Sequence, residues 1–494
     1  MADTKSFTRT GDKTFRIVLD DFHVGISPAA HLDSLTQLGN PGNASVMTNI
    51  DVLVPKQLTQ GPGLANLTNG TQAGVVDQLI NFIMDRPASS DATYGIGTTK
   101  LYKISSTAVS SGGSPSWPRT ITGAEDGESC IEFQGRLKYF YNTSTVGVIG
   151  DYDLASTFDD DWGSTIPTGA GSLQLDIHPS AKKEDILAFG NGRYFGTYIN
   201  STTTLNPTKL DFGINTQVAD VAFHANQWWI AVNEGISGTN RTNASLFLYD
   251  GSAVSSILFD EVAVGVQRIG FIMPINGVMF VCWEDLSGEN VLGYVSGRSV
   301  VPLAHFTGNL PTFEKKTLYQ DFLLFESSGL IYAAGTSVDG LPYALSQLAD
   351  AGYATAGGLA APFGTPMVAS TDGGSNQRLA QFSGYDTACT WKSIIFDVMD
   401  GSDYGFIDKI SVLTNHLGAG ASVAMTLEGN QAQDTSSTMT IDTDSQRRHV
   451  FTSRNHALDK LEDVRVAFSF SGGSTTNNVI IRKVVLDGHF VEAR

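Results

Sequence analysis

The chain has 494 residues, enough for two or three domains with a sizeable core in each. Apolar residues make up 41% and 52 residues are Gly, which fits a globular chain of β-structure with long polar loops. Charged residues are few and unbalanced, 50 acidic against 31 basic for a net charge of −19, and so acidic a surface excludes stable, sequence-independent binding of nucleic acid.

The first residues, MADTKSFTRTGDKTFRI, lack an apolar h-region, so no signal peptide is expected. No run approaches the length of a membrane span. Cys130, Cys282 and Cys389 each fall in a hydrophobic run and read as buried small hydrophobes, with no CxxC pair and no disulfide framework. The Asn-x-Ser/Thr sequons at Asn43, Asn66, Asn142, Asn200 and Asn243 read as by-products of polar loops.

Residues 1–72 contain one strand-like run, Phe15–Leu19, and a candidate strand at Asn49–Leu53. Pro and Gly interrupt the rest, and its apolar residues keep no period, so it cannot build a core of its own. It is expected to be an extended arm laid over its next domain or a neighbouring subunit.

Residues 73–385 carry a loose repeat. Gln217–Glu234 (QVADVAFHANQWWIAVNE) reads as two apolar strands joined by a tight turn at His224–Gln227. Similar hairpins stand at Cys130–Tyr141, Ile186–Ile199, Ile269–Trp283 and Phe322–Ala334. Anchored on the bulky residue before each turn (Phe133, Phe189, Phe223, Met273 and Phe325) the intervals are 56, 34, 50 and 52. Tyr-bearing runs such as Leu246–Gly251 and Val291–Gly297 follow as outer strands. Val75–Met84 reads equally as a short helix or a first inner strand, and Thr365–Ser383 as a last, weak unit. Units of this size match the four-stranded blades of a β-propeller, here six or seven. A large two-sheet sandwich or a solenoid is the alternative, although insertions such as Asp151–Ser180 and Asn200–Thr216 spoil the even rise of a solenoid.

From residue 386 to 494 the runs shorten and alternate, as in VRVAFSF and SVAMTLEG. Seven or eight strands at this spacing predict an antiparallel β-sandwich of jelly-roll type.

The search for chemistry is sparing. There is no nucleophile elbow, P-loop, GxGxxG after a strand, HExxH or CxxC. No catalytic, cofactor-binding or metal-ligating residue is assigned, and no cofactor is expected. His224 is read as a polar turn residue. The acidic runs Asp159–Asp161 beside Trp162, Asp397–Asp403, and Asp442 with Asp444 are read as solvated loops, with the second the best candidate for calcium. Ser370–Gln377 (STDGGSNQ) shares the Ser, Asp and Gly of the sialidase Asp-box but not its Trp, and occurs once. Tyr404 and Phe406 could stack on sugar rings if exposed, and otherwise belong to the core.

The order of parts carries a resemblance. The stretch FHVGISP…NIDVLVPKQLTQGPGLANL, the repetitive middle and the C-terminal W-x-S-I-I-F-D-V…I-D-K-I-S-V-L resemble virion proteins of tailed bacteriophages, though the chain is shorter than T7-type nozzle proteins. The resemblance implies a non-enzymatic structural part of the tail or neck (nozzle, hub, collar or tip ring). It implies assembly with copies of itself and other tail proteins, and a virion location after synthesis in the host cytoplasm. The first alternative is a tail protein whose sandwich binds a host receptor or glycan. The second is a propeller-type glycoside hydrolase, which needs two carboxylates at fixed separation.

Overall fold

The computed structural model describes residues 7–11, 13–20, 22, 44–51, 57–69, 72–73, 75–88, 92–169, 171–235, 243–259, 266–335, 344–350, 355–372, 376–399, 403–415, 417–418, 420–430, 433–442, 446–458, 460–470 and 476–492. The chain forms two compact units, one of residues 1–64, 330–350 and 383–494, the other of residues 65–329 and 351–382. Both are built of strands.

The first unit is a β-sandwich. One sheet orders Phe7–Gly11, Thr14–Leu19, Ile480–Glu492, Asp403–Thr414 and Arg448–Thr452, with Leu58–Gln60 added on Ile480–Glu492. The other orders Ala44–Thr48, Thr390–Ser393, Asp463–Ser469, Val423–Gly429 and Asp434–Thr435. Alternation does the sorting, as period-two side chains must on a half-buried strand. In Thr14–Leu19, Phe15, Ile17 and Leu19 are buried while Thr14 and Arg16 are exposed. Phe22 packs edge-on against Trp391, ring centroids 5.4 Å apart, in a core shared with Met47, Leu427 and Phe468.

The N-terminal arm therefore lies over a domain, but not the next one in the chain. Its strands complete both sheets of the C-terminal sandwich, Thr14–Leu19 pairing with Ile480–Glu492 and Ala44–Thr48 with Thr390–Ser393. A segment that cannot bury its own apolar face takes a partner that can. The hairpin Leu330–Gly335/Ala344–Asp350 belongs with this unit, Ser346 Oγ donating to Ile50 O at 2.9 Å.

The second unit is a β-propeller. Among the described residues, seven strands line its axis: Ile80–Ile83, Asp126–Phe133, Ser180–Lys183, Thr216–His224, Val266–Ile275, Lys316–Tyr319 and Thr355–Ala360. Each neighbours the next, and the last returns to the first. We number blades 1 to 7 by these strands. Blades 2 and 3 are regular antiparallel four-stranded sheets, Asp126–Asp159 and Ser180–Asp211. Blades 4 and 5 join along their outer strands, where Val254–Phe259 pairs in parallel with Ser299–Phe306. Val75–Val76, outside blade 1 in sequence, pairs with Gln377–Arg378 of blade 7 and so ties the start of the unit to its end.

Each blade buries both faces against its neighbours, which is why its strands read as continuous apolar runs. Trp228 packs with Phe195 and Val218 between blades 3 and 4, while Trp229 points the other way, with Ile272 and Val281 between blades 4 and 5. Buried polar groups pin the same seams. Asn233 receives Ile269 N at 2.7 Å and donates to Ile269 O at 3.0 Å, a side chain paired like a strand neighbour. Val75–Met84 is extended where the structure describes strands, at Val75–Val76 and Ile80–Ile83.

Candidate functional site

A recess of about 340 Å³ opens beside the axial strands of blades 1 to 3, lined among others by Phe82, Asp85, Arg86, Glu132, Ser180 and Lys182. The axis is crowded with carboxyls. The connector into blade 6 carries a short 3-10 turn, Phe313–Lys315, whose Phe313 faces Phe82 of blade 1 at 6.0 Å between ring centroids. Next to it Lys316 reaches from blade 6 to the Asp220 carboxylate of blade 4 and donates to Ile272 O of blade 5 at 2.7 Å. Asp220 also accepts the N–H groups of Ile272 and Val221, each at 2.8 Å.

Burial moves these acids upward. It raises Asp220 against the pull of Lys316, and raises Glu314 against its hydrogen bond to Thr312 and the charge of Lys315. Burial, then repulsion from Asp126, Glu314 and Asp176, pushes Glu128 up to about 8 despite Asn142 Nδ2 donating at 2.7 Å. Asp85, open to water within the recess but surrounded by protein, is lifted to about 6 against Thr317, Lys316 and Arg86. Carboxyls displaced this far are the usual material of acid–base sites and of structural ion-pair networks alike. Of these Asp220 is committed to Lys316, and neighbouring carboxylates are paired as well, Glu326 with Lys315 at 3.0 Å and Glu132 with Lys182 at 2.5 Å.

The residues singled out in the sequence scatter. His224 ends the axial strand of blade 4, and the two turn residues after it, Ala225 and Asn226, both have positive φ, the geometry of a tight hairpin turn. Its carbonyl accepts Trp229 Nε1 at 3.1 Å. Asp160 is a joint in blade 2, accepting from Tyr139 OH at 2.6 Å and from Arg119 and Thr122 N at 3.0 Å. Burial would raise its carboxyl, but these donors outweigh it and hold it low. Trp162 is buried beneath Lys138, whose Nζ stands 3.1 Å from the ring centroid.

Asp397 Oδ1 accepts Met399 N at 2.9 Å, closing a local turn; residues 400–402 of that acidic run, and Asp444, lie outside the described residues. Asn43 lies outside them as well. Ser370–Gln377 spans the turn between Met367–Thr371 and Gln377–Tyr385, with Ser370 buried and Asp372 paired to Arg378 at 2.7 Å. Tyr404 and Phe406 are half-buried, and Phe406 packs on His489 at 5.1 Å. All three cysteines are buried and free. Burial raises each thiol, Cys389 to about 12.

One grouping escaped the sequence. Asp285, Glu289 and His305 in blade 5 bring ligand atoms within 4.8 Å of one another. His305 Nδ1 lies 3.1 Å from Glu289 Oε2. Asp285 chiefly organises its own turn, its Oδ1 accepting Ser287 N and Glu289 N at 2.9 Å and Ser287 Oγ at 2.6 Å. The Asp and Glu stand four apart in one turn, but His305 comes from the next hairpin, so only the strand register unites them.

No family model and no curated protein matches the sequence. Similar solved structures include the extracellular domain of a hybrid two-component system from B. thetaiotaomicron, at 10% identity over 79% of this chain and a TM-score of 0.45. This chain spans 47% of that domain. The AfRom2 CNH domain matches at 9% identity over 66% of this chain and all of its own, with a TM-score of 0.42. A glycoside hydrolase family 43 arabinoxylan arabinofuranohydrolase from Bacillus subtilis matches at 9% identity, covering 95% of this chain and 99% of its own, with a TM-score of 0.30. Likenesses this distant carry nothing about activity.

Proposed function

We propose that this chain is a structural, non-enzymatic component of a tailed bacteriophage particle, placed in the tail or neck and working as an oligomer. The resemblance in the order of arm, propeller and sandwich motivates the class. One observation carries the oligomer. In an antiparallel blade the entry to the first strand and the turn after the second lie on one face, and here that face bears large exposed apolar side chains. They are Leu175 on the connector into blade 3, Ile214 on the connector into blade 4, and Leu286 in the turn after the second strand of blade 5. Ile214 is 79% exposed, Leu286 58% and Leu175 56%. Single exposed hydrophobes are ordinary, but several on one face, set on long insertions, suit a surface that a neighbouring subunit covers.

The test is the oligomeric state of the purified chain by light scattering and electron microscopy, together with mass spectrometry of particles from the phage that encodes it. A closed ring, converted to monomer by Leu175→Asp with Ile214→Asp, is expected. A stable monomer that is missing from particles would sink the proposal.

A further inference from the structure

Arginine is scarce in this acidic chain, and most described arginines hold a carboxylate. Arg16 pairs with Asp487 at 2.6 Å, Arg119 with Asp160 at 3.0 Å and Arg378 with Asp372 at 2.7 Å; Arg136, Arg268 and Arg465 pair with Asp151, Glu284 and Glu428. In the sandwich the rule fails for Arg447, Arg448, Arg454 and Arg482, which have no carboxylate partner among the described residues, and two of these share one cleft. Arg447 and Arg482 are exposed, have no carboxylate partner among the described residues, and line one open cleft of about 470 Å³ with Leu413, Thr414 and Asn415.

The cleft is held by backbone. Thr414 N donates to Arg447 O at 2.8 Å, and Asn415 N to Ile480 O at 2.9 Å, so both arginines hang from paired strands. Arg482 Nε donates to Asn415 Oδ1 at 2.6 Å, which orients the guanidinium. Leu413, 40% exposed, sits in register between Arg448 and Lys483, the latter paired with Asp20 at 3.2 Å, and supplies an apolar floor.

We infer that this cleft binds the oxyanion of a short acidic saccharide. A guanidinium fork matches the planar oxygens of a carboxylate or the face of a phosphate, and here two arginines without a carboxylate partner among the described residues line one cleft. The volume exceeds that of a bare ion and suits a sugar ring, whose hydroxyls meet Asn415 while its carbon face lies on Leu413. The chain's net charge of −19 repels a long polyanion such as a nucleic acid, whereas one charged sugar in a local basic cleft escapes that field. The site is separate from the proposed subunit face: absence from particles would leave it standing, and loss of saccharide binding would leave assembly untouched.

The experiment is titration of the full chain with D-galacturonate, mannose 6-phosphate and neutral D-galactose, followed by ligand-observed NMR at low salt. Binding of one or both acidic sugars and not of galactose is expected, weakened at least tenfold by Arg447→Gln with Arg482→Gln and only partly by Arg447→Lys with Arg482→Lys. Galacturonate alone would mark a uronate site, mannose 6-phosphate alone a phosphosugar site, and both the shared oxyanion chemistry. Unchanged thermal melting of the variants confirms that they fold. Binding of neither acidic sugar, equal binding by the Gln variant, or duplex DNA binding abolished by the same substitutions would overturn the assignment.

Discussion

Replacing Lys316 by Met should destabilise the propeller in a way that depends on pH. Lys316 reaches across blade 5 to an Asp220 carboxylate whose side chain is 3% exposed. Removing one partner of such a pair strands a buried charge, at a cost of roughly 3–5 kcal/mol. Asp220 keeps the N–H groups of Ile272 and Val221, which places the expected loss near the lower end, about 3 kcal/mol at neutral pH. For a unit of this size that is a melting shift on the order of 5–10 °C. The sign follows from the direction of the shift. Burial already raises the folded-state carboxyl above its unfolded value, against the opposing pull of Lys316, so removing the lysine raises it further. A raised carboxyl adds stability that is fully present below its unfolded value of about 3.9 and is lost as pH rises through its folded value. The deficit of Lys316→Met should therefore be small near pH 4.5, full at pH 8, and largely relieved by adding Asp220→Asn. Thermal unfolding of the full chain at both pH values checks this. An equal deficit at both, or no relief from Asp220→Asn, would show that Lys316 acts through packing and not charge.

Ala225→Gly should stabilise the blade 4 hairpin by about 0.5–1 kcal/mol, because Ala225 holds φ +49 where glycine is unstrained; denaturant titration reads the gain, and a loss would contradict the turn assignment. Deleting residues 1–20 should leave the sandwich protease-sensitive. Phe15, Ile17 and Leu19 are each at most 1% exposed, and at roughly 2–5 kcal/mol per large buried side chain their loss rivals the whole stability of a domain, about 5–15 kcal/mol. A truncated chain whose residues 386–494 resist trypsin as the parent does would contradict the pairing of Thr14–Leu19 with Ile480–Glu492.

Blade hairpins were legible because inner strands buried on both faces are written as unbroken apolar runs, and the turn residues between them stand out. The uneven spacing of their anchors was not legible as such. Phe133, Phe223 and Met273 lie on axial strands, but Phe189 and Phe325 lie one strand further along, on Ile186–Asn191 and Phe322–Ser327. The axial strands of those two blades, Ser180–Lys183 and Lys316–Tyr319, have four residues each and carry Lys, so they offer no hydrophobic run to find. The intervals of 56 and 34 are one blade length displaced by a strand and then restored.

The charged lysines that hid those two strands also explain why no site could be read from the chain. Lys316 belongs to Asp220 and Lys182 to Glu132, partners 96 and 50 residues apart, and a ring of parallel axial strands is what brings them together. The arm was obscured for the same reason. FRIVL shows its alternation plainly, yet the strand it pairs with, Ile480–Glu492, lies at the other end of the chain, and a single sequence records a strand's pattern but not its partner. The Arg447–Arg482 cleft is a further case. Each arginine alone is an ordinary surface charge. The pairing of Asp403–Thr414 with Arg448–Thr452 on one side and Ile480–Glu492 on the other sets them at one edge, where the lack of a carboxylate partner among the described residues becomes a feature of the site and not of either residue.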